Sequence, residues 1–371
     1  MYSHLFSELE VGGVKLKNRL TMAPLYLGYA DEGGAVSELI LDHYRLMAQS
    51  GVALVVVENA TVDYAVGRNS NHCLRVDDDA QIETLSRLAA VIKQEGTLAC
   101  LQINHGGRYA VAPDFVAPSA VETFGRMPRA LTIQEIEAII GRFAQAAFRV
   151  KQAGFDMVEL HGGTGYLLAQ FVSPRTNQRS DIYGGSLEAR WKFPLDVVAA
   201  AKAAVGDFPV GYRFLADEWL PDGLQLAESR LFARSLAAAG VAYISVMGGT
   251  YESFFLPEMV EKARKEGYMA DLAAAIKQEV SVPVITAGRI AGGALAEEIV
   301  ASGQADLIGL ARVLWADPEW PKKVQAGKED EIHHCNPECD VCLQMIMKGR
   351  PALCASWPKE KMQLWKSKLQ T

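Results

Sequence analysis

No stretch of this chain approaches the roughly 18 consecutive apolar residues that a bilayer-spanning helix requires, so a membrane span is not expected. Basic residues are in deficit: 37 Lys and Arg stand against 44 Asp and Glu, a formal net charge of -7. Tracking a phosphate backbone needs clustered cations to displace counterions, so nucleic acid is not an expected partner. The opening residues, MYSHLFSELEVGG, lack the basic-then-apolar profile of a secretion signal, which implies a reducing, cytoplasmic location. A GxGxxG turn after the first apolar run is also missing, which argues against a dinucleotide-binding open sheet. Cysteine is scarce through most of the chain. Only Cys73 and Cys100 precede residue 335, and both read as ordinary small buried thiols.

What is present is a regular alternation. Eight short β-branched runs recur: RLTMAPL, VALVVVENA, TLACLQINH, DMVELHG, FPVGYRF, VAYISVMGG, VPVITAGR and ADLIGLAR. Segments of helical period lie between them, at 37–49, 80–94, 132–152, 187–204, 227–239 and 271–278. Strict βα alternation implies a parallel sheet, and eight repeats in about 300 residues fit a closed (β/α)8 TIM barrel better than an open sheet. The barrel is expected over residues 1–328, with a cysteine-containing segment and tail over 329–371.

Such barrels do their chemistry at the C-terminal ends of the strands, so the polar residues closing each run are the candidates. In order, these are Ala23, Pro24, Leu25 and Tyr26; Glu58, Asn59 and Ala60; Gln102, Asn104, His105 and Arg108; Glu159, His161, Thr164 and Tyr166; Arg213; Gly248, Gly249 and Tyr251; Gly288 and Arg289; Ala311 and Arg312. Two arginines after the last two runs, each beside a small residue, suit a phosphate held by backbone amides and guanidinium groups. Rim salt bridges are the plainer alternative for the pair.

These residues resemble the Old Yellow Enzyme group of FMN-dependent NAD(P)H oxidoreductases, in the branch of 2,4-dienoyl-CoA reductase and trimethylamine dehydrogenase. The resemblance covers essentially the whole chain. It rests on LKNRLTMAP, QINHGGR, HGGTGYLLAQFVSPRTNQRSDIYGGSLEAR, ADEWLPDG, AGRI, LARVLWADP and the cysteine segment. It implies that Ala23, Pro24, Leu25 and Tyr26 lie against a flavin, with Ala60 nearby and Gln102 on the pyrimidine edge. Arg213 would face N1 and O2, where a cation favours the reduced, negatively charged ring. Gly288, Arg289, Ala311 and Arg312 would hold the FMN phosphate. The alternative for Arg213 is an interior ion pair with Glu159 or Glu58.

For substrate, the resemblance implies that His161 binds a carbonyl oxygen and that Tyr166 protonates the α-carbon of an α,β-unsaturated substrate. Thr164 stands where relatives carry His or Asn, removing one strong donor to the developing enolate. Such a donor is typically worth about 3 kcal/mol. Tyr251 falls in the pocket without an assigned role, and a packed, unreactive side chain is the plainer alternative for either tyrosine.

Four thiols, Cys335, Cys339, Cys342 and Cys354, fall within twenty residues. In reducing conditions such a group reads as a [4Fe-4S] cluster site. The alternative is a zinc site made by all four thiols, or by three of them with His333 or His334. Relatives with the cluster carry Cys-x2-Cys-x3-Cys, where this chain has Cys-x3-Cys-x2-Cys. The larger relatives continue into further nucleotide-binding domains, so an electron-transfer protein or subunit is an expected partner, alongside homo-oligomers. Three functions are consistent with the sequence: an ene-reductase, a flavin-dependent dehydrogenase or amine demethylase, and a phosphate-binding barrel lyase or isomerase with a zinc-bound tail.

Overall fold

The computed structural model describes residues 2–369. Eight parallel strands close into a ring: β1 (Leu20–Met22), β2 (Leu54–Thr61), β3 (Leu98–Asn104), β4 (Met157–Gly162), β5 (Val210–Asp217), β6 (Ile244–Gly248), β7 (Val284–Thr286) and β8 (Leu307–Leu310). Each strand pairs with its neighbour in sequence, and β8 pairs back onto β1 through Ile308–Leu20 and Leu310–Met22. All eight expected strands are therefore present, six inside their apolar runs, while β2 and β5 run past theirs to Thr61 and Asp217. Between them run α1 (Glu38–Ala48), α2 (Ile82–Lys93), α3 (Ile133–Gln152), α4 (Leu187–Val205), α5 (Leu226–Ala238), α6 (Ala270–Lys277) and α7 (Gly293–Ala301). Only α7 has no counterpart among the helical segments expected from the sequence. The helix starts follow local chemistry: Ser37 and Ser186 accept a backbone N–H as N-caps, and Thr132 with Glu135 forms a reciprocal capping box.

The pleat divides each strand between two apolar regions. One face packs against the helices in the large outer core. The other fills the ring's lower interior with Leu54, Val56, Cys100, Met157, Tyr243, Ile285 and Leu307. An antiparallel hairpin, Leu9–Val11 with Val14–Leu16, adds Val11 and Leu16 to that interior and plugs its floor. Its two-residue turn is Gly12-Gly13, both at positive φ (+57° and +82°), as a tight hairpin turn demands. Two residues further along the strands the interior turns polar: Gln102 follows Cys100, and Glu159 follows Met157. After β8 the chain forms the helix Arg312–Ala316, then α8 (Trp320–Ala326), α9 (Val341–Met347) and α10 (Lys359–Lys368). The closing segment is docked by Trp357, whose Nε1 donates to the Trp315 carbonyl at 2.9 Å, and by Trp365, stacked on Tyr29 at 5.5 Å. No helix among the described residues is long and apolar enough to cross a membrane.

Candidate active site

Two cavities open at the C-terminal end of the ring. The first is lined by Ala23, Pro24, Arg213, Tyr268, Met269, Gly288, Arg289, Gly309, Ala311, Arg312 and Cys335, among others. It gathers seven of the eleven residues expected to hold the cofactor. Gly288 and Arg289 both lie at positive φ (+108° and +54°), a turn in which successive backbone N–H groups can face an anion. A Cβ on Gly288 would meet the Met269 amide nitrogen at 3.2 Å, so the turn is tight as well as left-handed.

The charge in this cavity is one-sided. Arg289 and Arg312 form no ion pair among the described residues, which disposes of the rim salt-bridge alternative. Arg289 is pulled below its ordinary pKa by burial and by Arg312, and its own hydrogen bonds go to the carbonyls of Ala263 (3.0 Å) and Cys335 (3.4 Å). Arg213, Arg289 and Arg312 all act on the Tyr268 phenol, so three guanidinium groups converge where no carboxylate lines the wall. Such a cradle calls for an anion, and the residues fit the phosphate and ring of FMN. Arg213 donates to the Ser245 hydroxyl at 2.7 Å. Glu159 holds no ion pair with it, yet is near enough to oppose the effect of burial on the guanidinium. Gln102 is buried and donates to Glu159 at 2.7 Å; Tyr243 donates to the other carboxylate oxygen at 3.0 Å. Ala60 and Leu25 sit in the core beside this layer, outside the cavity wall. Tyr26 instead points its hydroxyl to Ser70 at 2.6 Å.

The second cavity is lined by Asn69, Arg108, Tyr109, Thr123, Phe124, Arg126, Tyr166, Tyr251 and Met347. His161 packs edge-on against Tyr166 with ring centroids 4.9 Å apart. The His161 Nδ1 accepts the Gly163 backbone N–H at 3.2 Å, which leaves its proton on Nε2. Burial, and then Arg213, push its pKa well below the ordinary value, so the ring is neutral. Tyr166 and Tyr251 share a hydrogen bond of 2.8 Å, and Asn69 donates to the Tyr166 oxygen at 2.9 Å. Burial raises both phenols, Tyr166 strongly, so both remain protonated donors. Thr164 stays apart from these groups: its hydroxyl faces the Met247 sulfur at 3.4 Å. Sequence reasoning did not find Asn69, Tyr109, Phe124 or Met347, because loops and α9 fold over the pocket from distant positions and no local pattern marks them.

The four cysteines line a third, small cavity together with Arg312, Trp315, Asn336 and Ser356. Cys354 is buried and the others half-buried, all as free thiols. Among the described residues, however, no three His, Cys, Asp or Glu side chains are grouped closely enough to hold a metal ion as they stand. Cys335 and Arg312 lie on the walls of both this cavity and the anion cradle.

Comparison with known proteins agrees with this geometry. Residues 4–331 match the model of the NADH:flavin oxidoreductase / NADH oxidase family. An NADH oxidase of Thermoanaerobacter brockii is 44% identical over 344 residues, covering 90% of this chain and 52% of that protein. An NADPH dehydrogenase of Geobacillus sp. (strain WCH70) is 36% identical over 325 residues, covering 86% of this chain and 93% of the relative. The structure of a 2-naphthoyl-CoA reductase in complex with 2-naphthoyl-CoA superposes with a TM-score of 0.92 at 28% identity, over 98% of this chain and 58% of that one. The chain thus spans about half the length of two of these three proteins. With its ring of strands, its arginine cradle and its tyrosine-lined pocket, the chain belongs to the NADH:flavin oxidoreductase / NADH oxidase family.

Proposed function

We propose that this chain is an FMN-dependent NAD(P)H oxidoreductase that reduces the double bond of an α,β-unsaturated carbonyl compound or enoyl thioester. The carrying observation is the packing of a neutral His161, its proton on Nε2, edge-on against Tyr166, a protonated phenol that lines the pocket. FMN, when bound in the arginine cradle and reduced by NAD(P)H, supplies the hydride. Nε2–H of His161 then donates to the carbonyl oxygen and stabilises charge building on it. Tyr166 delivers its proton to the α-carbon, and Asn69 fixes that direction, because its N–H occupies one lone pair of the phenol oxygen. Tyr251, on the same phenol, is placed to refill that proton. Amine oxidation is disfavoured by the lining, since Arg108 and Arg126 face the pocket while no acidic side chain lines it, and Glu252, the carboxylate paired with Arg108, is shared with Arg175. Tyr166→Phe should lower the rate of enone reduction by about 10²-fold while flavin reduction by NADH persists, as read by stopped-flow absorbance under anaerobic conditions. Unchanged enone reduction would remove Tyr166 as the acid.

We also infer that Cys335, Cys339, Cys342 and Cys354 hold a [4Fe-4S] cluster. Their spacing and shared cavity support this. A single zinc ion would draw its thiolates to about 2.3 Å from one centre, whereas a cluster spreads its ligands over a wider frame. An electron-transfer partner and assembly with further copies belong to the same proposal.

A further inference from the structure

We propose that the substrate pocket contains a carboxylate-binding subsite built on Arg108, so that the favoured unsaturated substrates carry a carboxylate apart from the carbonyl that reacts. This deepens the ene-reductase reading and rests on it for the reaction, though not for the binding.

Arg108 is only 1% exposed, yet its hydrogen bonding is incomplete. One nitrogen, Nη2, donates to the Glu122 carbonyl and to Glu252, both at 2.8 Å. The Nε and Nη1 groups are buried without any partner. A guanidinium cannot shed its proton at any ordinary pH, and unpaired buried donors of a charged group are costly. The charge is also incompletely matched, because Glu252 is shared with Arg175 at 3.1 Å. Thr123, 3% exposed, adds a buried hydroxyl with no partner. Both residues line the tyrosine pocket, and no acidic side chain does. An anionic, planar group of small size satisfies such donors best, and a carboxylate is that group. The phosphates of a large carrier would be met at the rim, where Arg126 is exposed and already bonded to the Ala110 and Ala112 carbonyls.

The test uses the full chain with FMN bound, titrated calorimetrically with trans-acetylacrylate and with its methyl ester. The acid should bind about tenfold more tightly than the ester, in keeping with a charge-assisted hydrogen bond. Arg108→Gln should bring the acid-to-ester ratio to within about twofold of one, whereas Arg126→Gln should leave most of the preference. Thr123→Val, which keeps the Arg108–Glu252 pair, should lower the ratio part of the way and decides the matter if Arg108→Gln does not fold. A wild-type protein without preference, or a preference abolished by Arg126→Gln but not by the Arg108 and Thr123 variants, overturns the subsite. Acid preference lost on Arg108→Gln, with neither compound reduced, upholds the subsite and sinks the ene-reductase reading instead. Reduction of both compounds without preference does the reverse.

Discussion

At the scale of single residues, Thr164 is the clearest conflict between local preference and position. It holds φ at +59°, where a β-branched side chain is disfavoured by roughly 1–2 kcal/mol, while Asn adopts that region readily. Thr164→Asn should therefore raise unfolding free energy by about 1 kcal/mol in urea titrations. Its carboxamide, which reaches further than the hydroxyl it replaces, should also speed enone reduction by about tenfold by offering the substrate oxygen a second donor; slower turnover would deny the position any role toward the oxygen. Glu58 carries a different conflict. It is 1% exposed, one oxygen has no partner, the other accepts only the Leu27 N–H at 3.3 Å, and burial pushes its pKa up to about 8. The folded state thus keeps a proton that the unfolded chain has released, so stability is greatest below the ordinary carboxyl value near 4.5 and falls as pH rises toward 8. Glu58→Gln should flatten that decline, with a gain in Tm of a few degrees at about pH 8.5 and little change near pH 5. Neither conflict was legible in the sequence. The glycines around Thr164 signal a turn without giving its handedness, and Glu58 lies in a register shift of β2 between Val57 and Ala60.

Among the elements, strands were the most legible because they are short, largely apolar runs that are mostly buried on both faces, β2 being the densest in valine. Helices with polar caps were nearly as clear: Ser37, Thr132 and Ser186 mark their starts. At the short, alanine-rich α7 Gly292 offers no side-chain cap, so no polar residue marks the start of that helix. The closing segment reads in sequence only as a short basic tail, yet its tryptophans tie it firmly to the barrel. Trp357 packs edge-on to Trp315 at 5.0 Å and against Trp365 at 5.4 Å. Trp357→Ala should cost about 3 kcal/mol or more, as buried tryptophan truncations do. It should also open the stretch between α9 and α10 to limited proteolysis, and an unaltered digestion pattern would show that other contacts suffice to hold it.

For the whole molecule, the sequence placed the arginines behind the last two strands and the histidine and tyrosine behind β4 at one end of the ring, since barrel topology fixes where strand ends meet, whereas the four late thiols follow the ring and are marked by their spacing alone. The pocket's outer wall was not legible, because Tyr109, Phe124 and Met347 come together only through folding of distant loops. The thiol site gives a direct measurement on the intact chain. Protein purified without oxygen should contain iron and acid-labile sulfide in equal amounts, lost together on Cys342→Ala; zinc in their place would overturn the cluster. The ring itself has one more consequence. Since β8 returns to β1, every central strand has a neighbour on each side, and the sheet offers no unpaired edge on which another polypeptide could template itself. Whatever joins this chain, a copy of itself or a redox protein, must grip helices, loops, the small two-stranded sheets or the tryptophan-anchored end, and not the ring.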